Sequence, residues 1–254
     1  MTATSFSRLA VLPPDPILGL TEAFRAEPRD DKINLSVGVY QDGDGRTPRL
    51  KCVGVVEGRL VGKPQSGYLP ITGDAEFLAC VRGLLFGGQT ASHADRLTML
   101  QAPGGTGALR IAGDFLRRTI GDGSIWISSP TWPNHRGVFE ASGHVVAEYP
   151  YWDAAAKRLD FAGVLQAMDD AATGDVFVLH GCCHNPTGVD PTLEQWRPIA
   201  AKLASRGLLP LIDFAYQGFA EGLTEDLAPL HAILEACPEA IVCSSYSKNF
   251  GLYN

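Results

Sequence analysis

The sequence predicts an α/β protein built on a mostly parallel sheet. From about residue 97 onward, short apolar runs alternate with segments whose apolar residues recur three and four positions apart. Several runs are continuous and β-branched, as in strands covered on both faces and joined by helical crossovers. Five of them end in chemically unusual clusters, at the strand ends where parallel α/β sheets place their ligands.

The expected strands, in order, are LTMLQA (97–102), SIWIS (124–128), HVVAEYP (144–150), DVFVLHG (175–181), LLPLIDFAY (208–216) and AIVCSSYS (240–247). Between them, Leu109, Ala112, Phe115 and Leu116 are expected to line one helix face, and Phe161, Val164, Leu165 and Met168 another. Before them, Asp74 is placed to cap a helix carrying Phe77, Leu78, Val81 and Leu84, with Gly87 as its stop. Thr192 and Gln195 have capping-box spacing, and Gly207 follows the helix they open. Pro198 removes a donor inside that helix, so a kink or a late start is expected. Residues 1–42 do not share the rhythm and are expected to form an arm and the edge of a second, smaller unit. Residues 43–254 make the large one, and no internal repeat is present.

The chain has 254 residues, with 21 Lys+Arg against 28 Asp+Glu and a formal net charge of −7. That acid excess argues against a nucleic-acid or anionic-membrane partner, either of which selects a basic face. No apolar run reaches the roughly 18–20 residues of a membrane span. The N-terminal stretch lacks a basic region followed by an unbroken apolar core, since Pro13 and Pro14 interrupt it, so no secretory signal is expected. Six scattered cysteines (52, 80, 182, 183, 237 and 243) suit reduced, mostly buried thiols in a cytoplasmic protein better than a disulfide framework.

The strand ends carry the chemistry. Pro103-Gly104-Gly105-Thr106-Gly107 precedes a helix, whose free N–H groups and dipole suit a phosphate; a tight strand-to-helix turn explains the glycines equally well. The pattern matches neither the dinucleotide glycine fingerprint nor the lysine-bearing phosphate loop. Lys248 closes the last run, after Ser244, Ser245, Tyr246 and Ser247. A lysine withdrawn from water becomes a nucleophile toward carbonyls; the plain alternative is a surface lysine. Asp213, ending LLPLI, could pair with a protonated pyridine nitrogen or cap the next segment. His180, Cys182, Cys183 and His184 include metal-ligand types, but adjacent cysteines point in opposite directions and have no C-x-x-C partner. Buried thiols and a hydrogen-bonded histidine are the expectation there. Trp132, in a loop-like P-T-W-P-N-H setting, could cover a ligand or fill a core; Tyr68 lies in a loop.

Seven segments together resemble the class I aspartate/aromatic amino-acid aminotransferases, pyridoxal-phosphate enzymes of fold type I. They are DPILGL (15–20), INLSVGVY (33–40), PGGTGALR (103–110), PTWPNH (130–135), HGCCHNPTG (180–188), DFAYQGF (213–219) and SSYSKNFGLYN (244–254), in the family's order. The resemblance implies that Lys248 holds pyridoxal 5′-phosphate covalently and then shuttles the substrate proton. It implies that Asp213 pairs with the pyridine nitrogen, and that Asn185 and Tyr216 bond the ring oxygen. Trp132 would stack on the ring and border the substrate, and Gly105, Thr106, Ser245 and Ser247 would hold the phosphate. Tyr68 would reach the phosphate of a neighbouring subunit, which implies a homodimer with shared sites. Gly38 and Asn185 would touch the substrate, His135 and His180 would orient Asp213, and Pro130 and Pro186 would follow cis bonds. The implied reaction moves the amino group of L-aspartate or an aromatic L-amino acid to 2-oxoglutarate by a ping-pong route. Aspartate is slightly preferred, on PGGTGALR and SSYSKNFGLYN. The family's chain continues well beyond the lysine, whereas this one ends at Asn254, so the arginines that grip phosphate and carboxylates have no counterpart. The expectation is a C-terminally truncated member with part of its small domain absent. The alternative is an inactive or partner-dependent fragment that binds the cofactor.

Overall fold

A computed structural model describes residues 18–34, 38–39, 41–63, 67–87 and 96–253. Residues 15–17 of DPILGL, positions 35–37 and 40 of INLSVGVY, and Asn254 lie outside the described residues, as does the N-terminal arm before residue 18. The chain divides into two compact units, Met1–Gly54 and Val55–Asn254. The sequence reading placed this division at 42.

Within the first unit, helix α1 (Leu18–Ala26) is held at its C-terminal end by Lys32. The lysine Nζ donates to the carbonyls of Phe24 and Glu27 at 2.8 and 2.6 Å, neutralising the negative end of the helix. A tight turn follows, in which the Asp42 carboxylate accepts the N–H groups of Asp44 and Arg46. Helix α2 (Lys51–Leu60) begins at the end of this unit.

In the second unit, α3 (Ala75–Phe86) starts at Asp74, whose carboxylate accepts the Phe77 N–H, and stops at Gly87. The buried face is Val81, Leu85 and Phe86; Phe77 and Leu84, expected inside, are exposed. LTMLQA is not a strand: residues 97–102 join no ladder among the described residues. Its backbone is tied instead to a turn, Gln101 N–H donating to Thr72 carbonyl, while the Gln101 side chain accepts the Asp74 N–H. Apolar alternation marks a candidate strand, but only a hydrogen-bonded neighbour makes one.

The remaining strands form one five-stranded parallel sheet. They are β1 (Ile125–Ser129), β2 (Val146–Pro150), β5 (Val176–His180), β6 (Leu209–Phe214) and β7 (Ile241–Ser244), in the order β2-β1-β5-β6-β7. A two-residue antiparallel pair, β3 (Trp152–Asp153) with β4 (Arg158–Leu159), sits apart. All five residues of central β5 are buried, whereas edge strand β2 buries only Tyr149, as expected of a strand flanked on both faces against one at a margin.

Alternate residues of each strand enter two cores. On one face α4 (Gly104–Thr119) and α5 (Asn134–Ala141) bring Leu109, Ala112, Leu116 and Phe139 against Ile125, Ile127, Val176, Val178 and Leu211. On the other, α6 (Phe161–Asp170), α7 (Leu193–Arg206) and α8 (Ala228–Ala236) pack Val164, Met168, Ile199, Leu203, Leu230 and Ile233 against Phe177, Leu179, Ile212 and Phe214. Phe115 is exposed, contrary to expectation. It lies six residues beyond Leu109, about 240° around the helix, so it faces away from the 109–112–116 stripe.

Helix α7 opens with the full capping box of Thr192 and Gln195 and closes at Gly207 in the left-handed region. It neither starts late nor breaks at Pro198, which sits on its exposed side. The cysteines divide: 182, 237 and 243 are buried and 183 half-buried, but Cys52 and Cys80 are exposed, against the expectation of mostly buried thiols. Among the described residues no helix is long and apolar enough to cross a membrane.

Candidate active site

Parallel pairing sets the strand ends side by side. His180 is the register partner of Asp213, and Phe214 that of Ser244. The segments after β1, β5, β6 and β7 therefore meet the start of α4 above one edge of the sheet. A cavity of about 260 Å³ opens there, lined by Gly105, Thr106, Trp132, Asn185, Asp213, Tyr216, Ser245, Ser247 and Lys248, with Leu109 and Ala215 on its apolar side.

These are nine of the eleven candidate residues. Tyr68 is fully exposed and does not line the cavity; Gly38, also exposed, belongs to the first unit.

The floor of the cavity is the N-terminus of α4, which follows Pro103 and carries no side-chain cap. The Gly104 N–H donates to the Ala102 carbonyl at 2.9 Å, and the N–H groups that follow it in the first turn have no intrahelical acceptor and can take a ligand. A side chain at 105 would place its Cβ 3.2 Å from Ser245 Oγ, so glycine lets the helix start and the β7 end approach closely. Thr106, Ser245 and Ser247 line the same cavity.

Asp213, also on the lining, is held by a chain of hydrogen bonds. His135 Nε2 lies 3.0 Å from the Asp213 carboxylate, and His135 Nδ1 lies 2.8 Å from Thr131 Oγ1. The same hydroxyl is 3.2 Å from His180 Nε2, and His180 Nδ1 accepts the Asn185 N–H at 3.4 Å. The amide at one end can only donate, so neutral His180 carries its proton on Nε2 and donates to Thr131. The Thr131 hydroxyl then donates to His135 Nδ1, and His135 Nε2–H donates to an Asp213 carboxylate oxygen. Both imidazoles are buried. Burial pushes the His180 pKa well below its ordinary value, the neighbouring His184 and His135 rings act in the same direction, and the Asp213 charge opposes them.

Asp213 faces a phenol and an amine. The Tyr216 pKa is raised by burial first and by the Asp213 charge second, while a hydrogen bond to the Asn185 side chain pulls it back. Lys248 Nζ lies 5.0 Å from the centre of the Tyr216 ring. Trp132 stands edge-on to His135 with ring centres 5.4 Å apart. The Ser129–Pro130 and Asn185–Pro186 peptides, in the loops bearing Trp132 and Asn185, are both cis.

The structure adds residues to which the sequence reading gave no role. Thr131 links the two imidazoles, and its signal was its place four residues before His135. Asp190 accepts the N–H groups of Cys183 and His184 and so ties down the loop carrying Asn185; nothing local in the sequence distinguishes it. Thus tied, Cys183 takes a positive φ of 51°. His184 is the hydrogen-bonded histidine expected, its ring nitrogens 2.9 Å from Ser128 Oγ and 2.8 Å from Thr187 Oγ1.

The chain belongs to the aminotransferase class I and II family, which it matches over residues 30–254. It is 50% identical over 251 residues to an aspartate aminotransferase of Escherichia coli, covering 98% of this chain and 63% of the relative. It is 46% identical over 250 residues to an aromatic-amino-acid aminotransferase of Pseudomonas aeruginosa, covering 98% of this chain and 62% of the relative. Among solved structures, the aromatic-amino-acid aminotransferase of Burkholderia pseudomallei, covalently bound to pyridoxal phosphate, superposes with a TM-score of 0.94 at 43% identity. That match covers 99% of this chain and 64% of the other. The Saccharomyces cerevisiae cytoplasmic aspartate aminotransferase gives a TM-score of 0.92 at 38% identity, covering 99% and 63%. The chain thus spans a little under two thirds of the length of these relatives, and its parallel sheet flanked by helices is an aminotransferase fold.

Proposed function

We propose that the protein is a pyridoxal 5′-phosphate-dependent transaminase, moving the amino group of L-aspartate or an aromatic L-amino acid to 2-oxoglutarate in two half-reactions. The observation that carries this reading is one cavity lined by a primary amine, a carboxylate, and a helix start without a side-chain cap together with Thr106, Ser245 and Ser247. Those three features match an aldehyde, a basic ring nitrogen and a phosphate, the three handles of that cofactor. When bound, the cofactor supplies an electron sink conjugated to the substrate Cα.

The protein's own groups have distinct parts to play. Lys248 holds the cofactor covalently and, once released, takes the proton from the substrate Cα and returns it. Asp213, fixed as an acceptor, keeps a proton on the ring nitrogen through a charge-assisted bond. Asn185 and Tyr216 hydrogen-bond the ring oxygen, and Trp132 covers the ring face. Gly105, Thr106, Ser245 and Ser247 hold the phosphate. Gly38, Trp132 and Asn185 border the substrate, and Tyr68 reaches the phosphate of the second subunit of a homodimer. Residues 43–254 form the cofactor-binding domain and 1–42 the arm and small-domain edge of a cytoplasmic enzyme.

Borohydride reduction after incubation with pyridoxal 5′-phosphate tests the reading. The cofactor should become fixed at Lys248, as read by peptide mass, and Lys248→Ala should abolish the adduct. Undiminished trapping at one other site in that variant would overturn the assignment.

A further inference from the structure

His184 does not line the cavity, yet its side chain is held on every polar atom. It is 1% exposed, and both ring nitrogens and its backbone N–H have partners. One ring face lies on Tyr151, with centres 3.7 Å apart and planes 10° from parallel. His180 also packs against this ring, with centres 4.3 Å apart and planes tilted by 44°. Tyr151 is itself anchored, its hydroxyl donating to the Val189 carbonyl at 2.6 Å. Beyond His180 the file continues to His135 at 5.2 Å and from there to Trp132 on the cavity wall. Five rings therefore run from the buried core to the site.

His184 and His180 share no hydrogen bond, so the link between them is ring packing. His180 has to hold one orientation for its two nitrogens to reach Thr131 and the Asn185 N–H together. Of its two bonds, that from Asn185 is long, at 3.4 Å, and weak at fixing an angle. The His184 ring, packed against both Tyr151 and His180, removes the freedom those bonds leave. We infer that His184 is a positioning residue, which acts by ring packing to hold His180 in the orientation that keeps Asp213 an acceptor. The link to Asp213 as the cofactor's partner rests on the proposed function; the restraint on His180 does not.

The two requirements on His184, flatness and hydrogen bonding, can be separated. His184→Phe keeps a ring of similar size between Tyr151 and His180 but leaves the Ser128 and Thr187 hydroxyls without it. His184→Leu removes the flat surface. With 15N-labelled histidine, the wild-type chain should show His180 and His135 as single Nε2–H tautomers with slowly exchanging ring protons. In His184→Phe the tautomers and exchange should persist, although thermal stability falls. His184→Leu should speed His180 ring-proton exchange at least about tenfold and mix its tautomers.

Wild-type tautomers and exchange in His184→Leu would overturn the inference, as would changes in both variants that follow stability alone. If His184→Leu does not fold, Tyr151→Leu removes the other slice of the stack and must produce the same loosening, or the inference fails. Borohydride trapping in the wild-type chain is read separately, so loss of the cofactor reading would leave the His180 result standing.

Discussion

The two sides of the cavity are built to different standards. On the carboxylate side, Asp213, His135, Thr131, His180 and the Asn185 N–H form an unbroken chain, braced by His184 and by Asp190 beneath the loop. On the amine side, Lys248 Nζ lies over the Tyr216 ring and makes no hydrogen bond among the described residues. Close by, the side-chain oxygens of Gln217 and Asn249 are buried without a partner there. The difference follows from the work each side does. A carboxylate that must stay ionised gains from a fixed surround, whereas an amine that bonds, leaves and carries protons has to be free to turn.

This contrast makes ordered predictions. The largest effect should come from emptying the rigid side: Asp213→Ala should weaken pyridoxal 5′-phosphate binding about 100-fold, since a charged hydrogen bond is lost. A spectral titration showing equal affinity would mean that the braced carboxylate does not serve the cofactor. Next comes acid. Burial holds the His184 pKa down at about 4, below its ordinary 6.5. The unfolded chain therefore binds a proton that the folded one refuses. Stability is complete above pH 6.5 and is lost as pH falls toward 4, by about 2–3 kcal/mol from this ring alone. Urea unfolding across that window measures the loss, and His184→Phe should flatten the slope.

Smaller still, Thr131→Val should cost about 2 kcal/mol, because it strands a ring nitrogen on each of two buried imidazoles. Lys248→Met should change stability by less than about 0.5 kcal/mol, as expected for a side chain with so few ties. A cost equal to that of Thr131→Val would erase the distinction between the two sides.

Most of the sheet could be read from the sequence because its strands are apolar, short and punctuated. DVFVLHG and LLPLIDFAY mark β5 and β6 to within a residue or two. LTMLQA shows the limit, since its pattern is that of a strand but pairing is not a local property. Phe115 shows another, because counting apolar residues without their helical angle assigns a side chain to the wrong face. The cavity lining was legible as residue types at strand ends. The bracing was not, because Asp190, Tyr151 and Thr131 are ordinary residues whose meaning comes from who stands beside them. Tyr68 and Gly38 were assigned from resemblance, because nothing local in the sequence marks an exposed tyrosine or glycine as part of a site.

The register of β5 against β6 has a further consequence for how such a site could be altered. His180 and Asp213 are paired positions on neighbouring strands, so their spacing is a property of the sheet. Asn185, Thr131 and Trp132 lie on loops that can change without shifting that backbone pair, provided that the Thr131 hydroxyl and the Asn185 N–H stay to orient His180. A designer, or natural variation, could therefore rebuild the rim for a different substrate while the ionised carboxylate and its imidazole neighbour travel with the sheet as a fixed cassette.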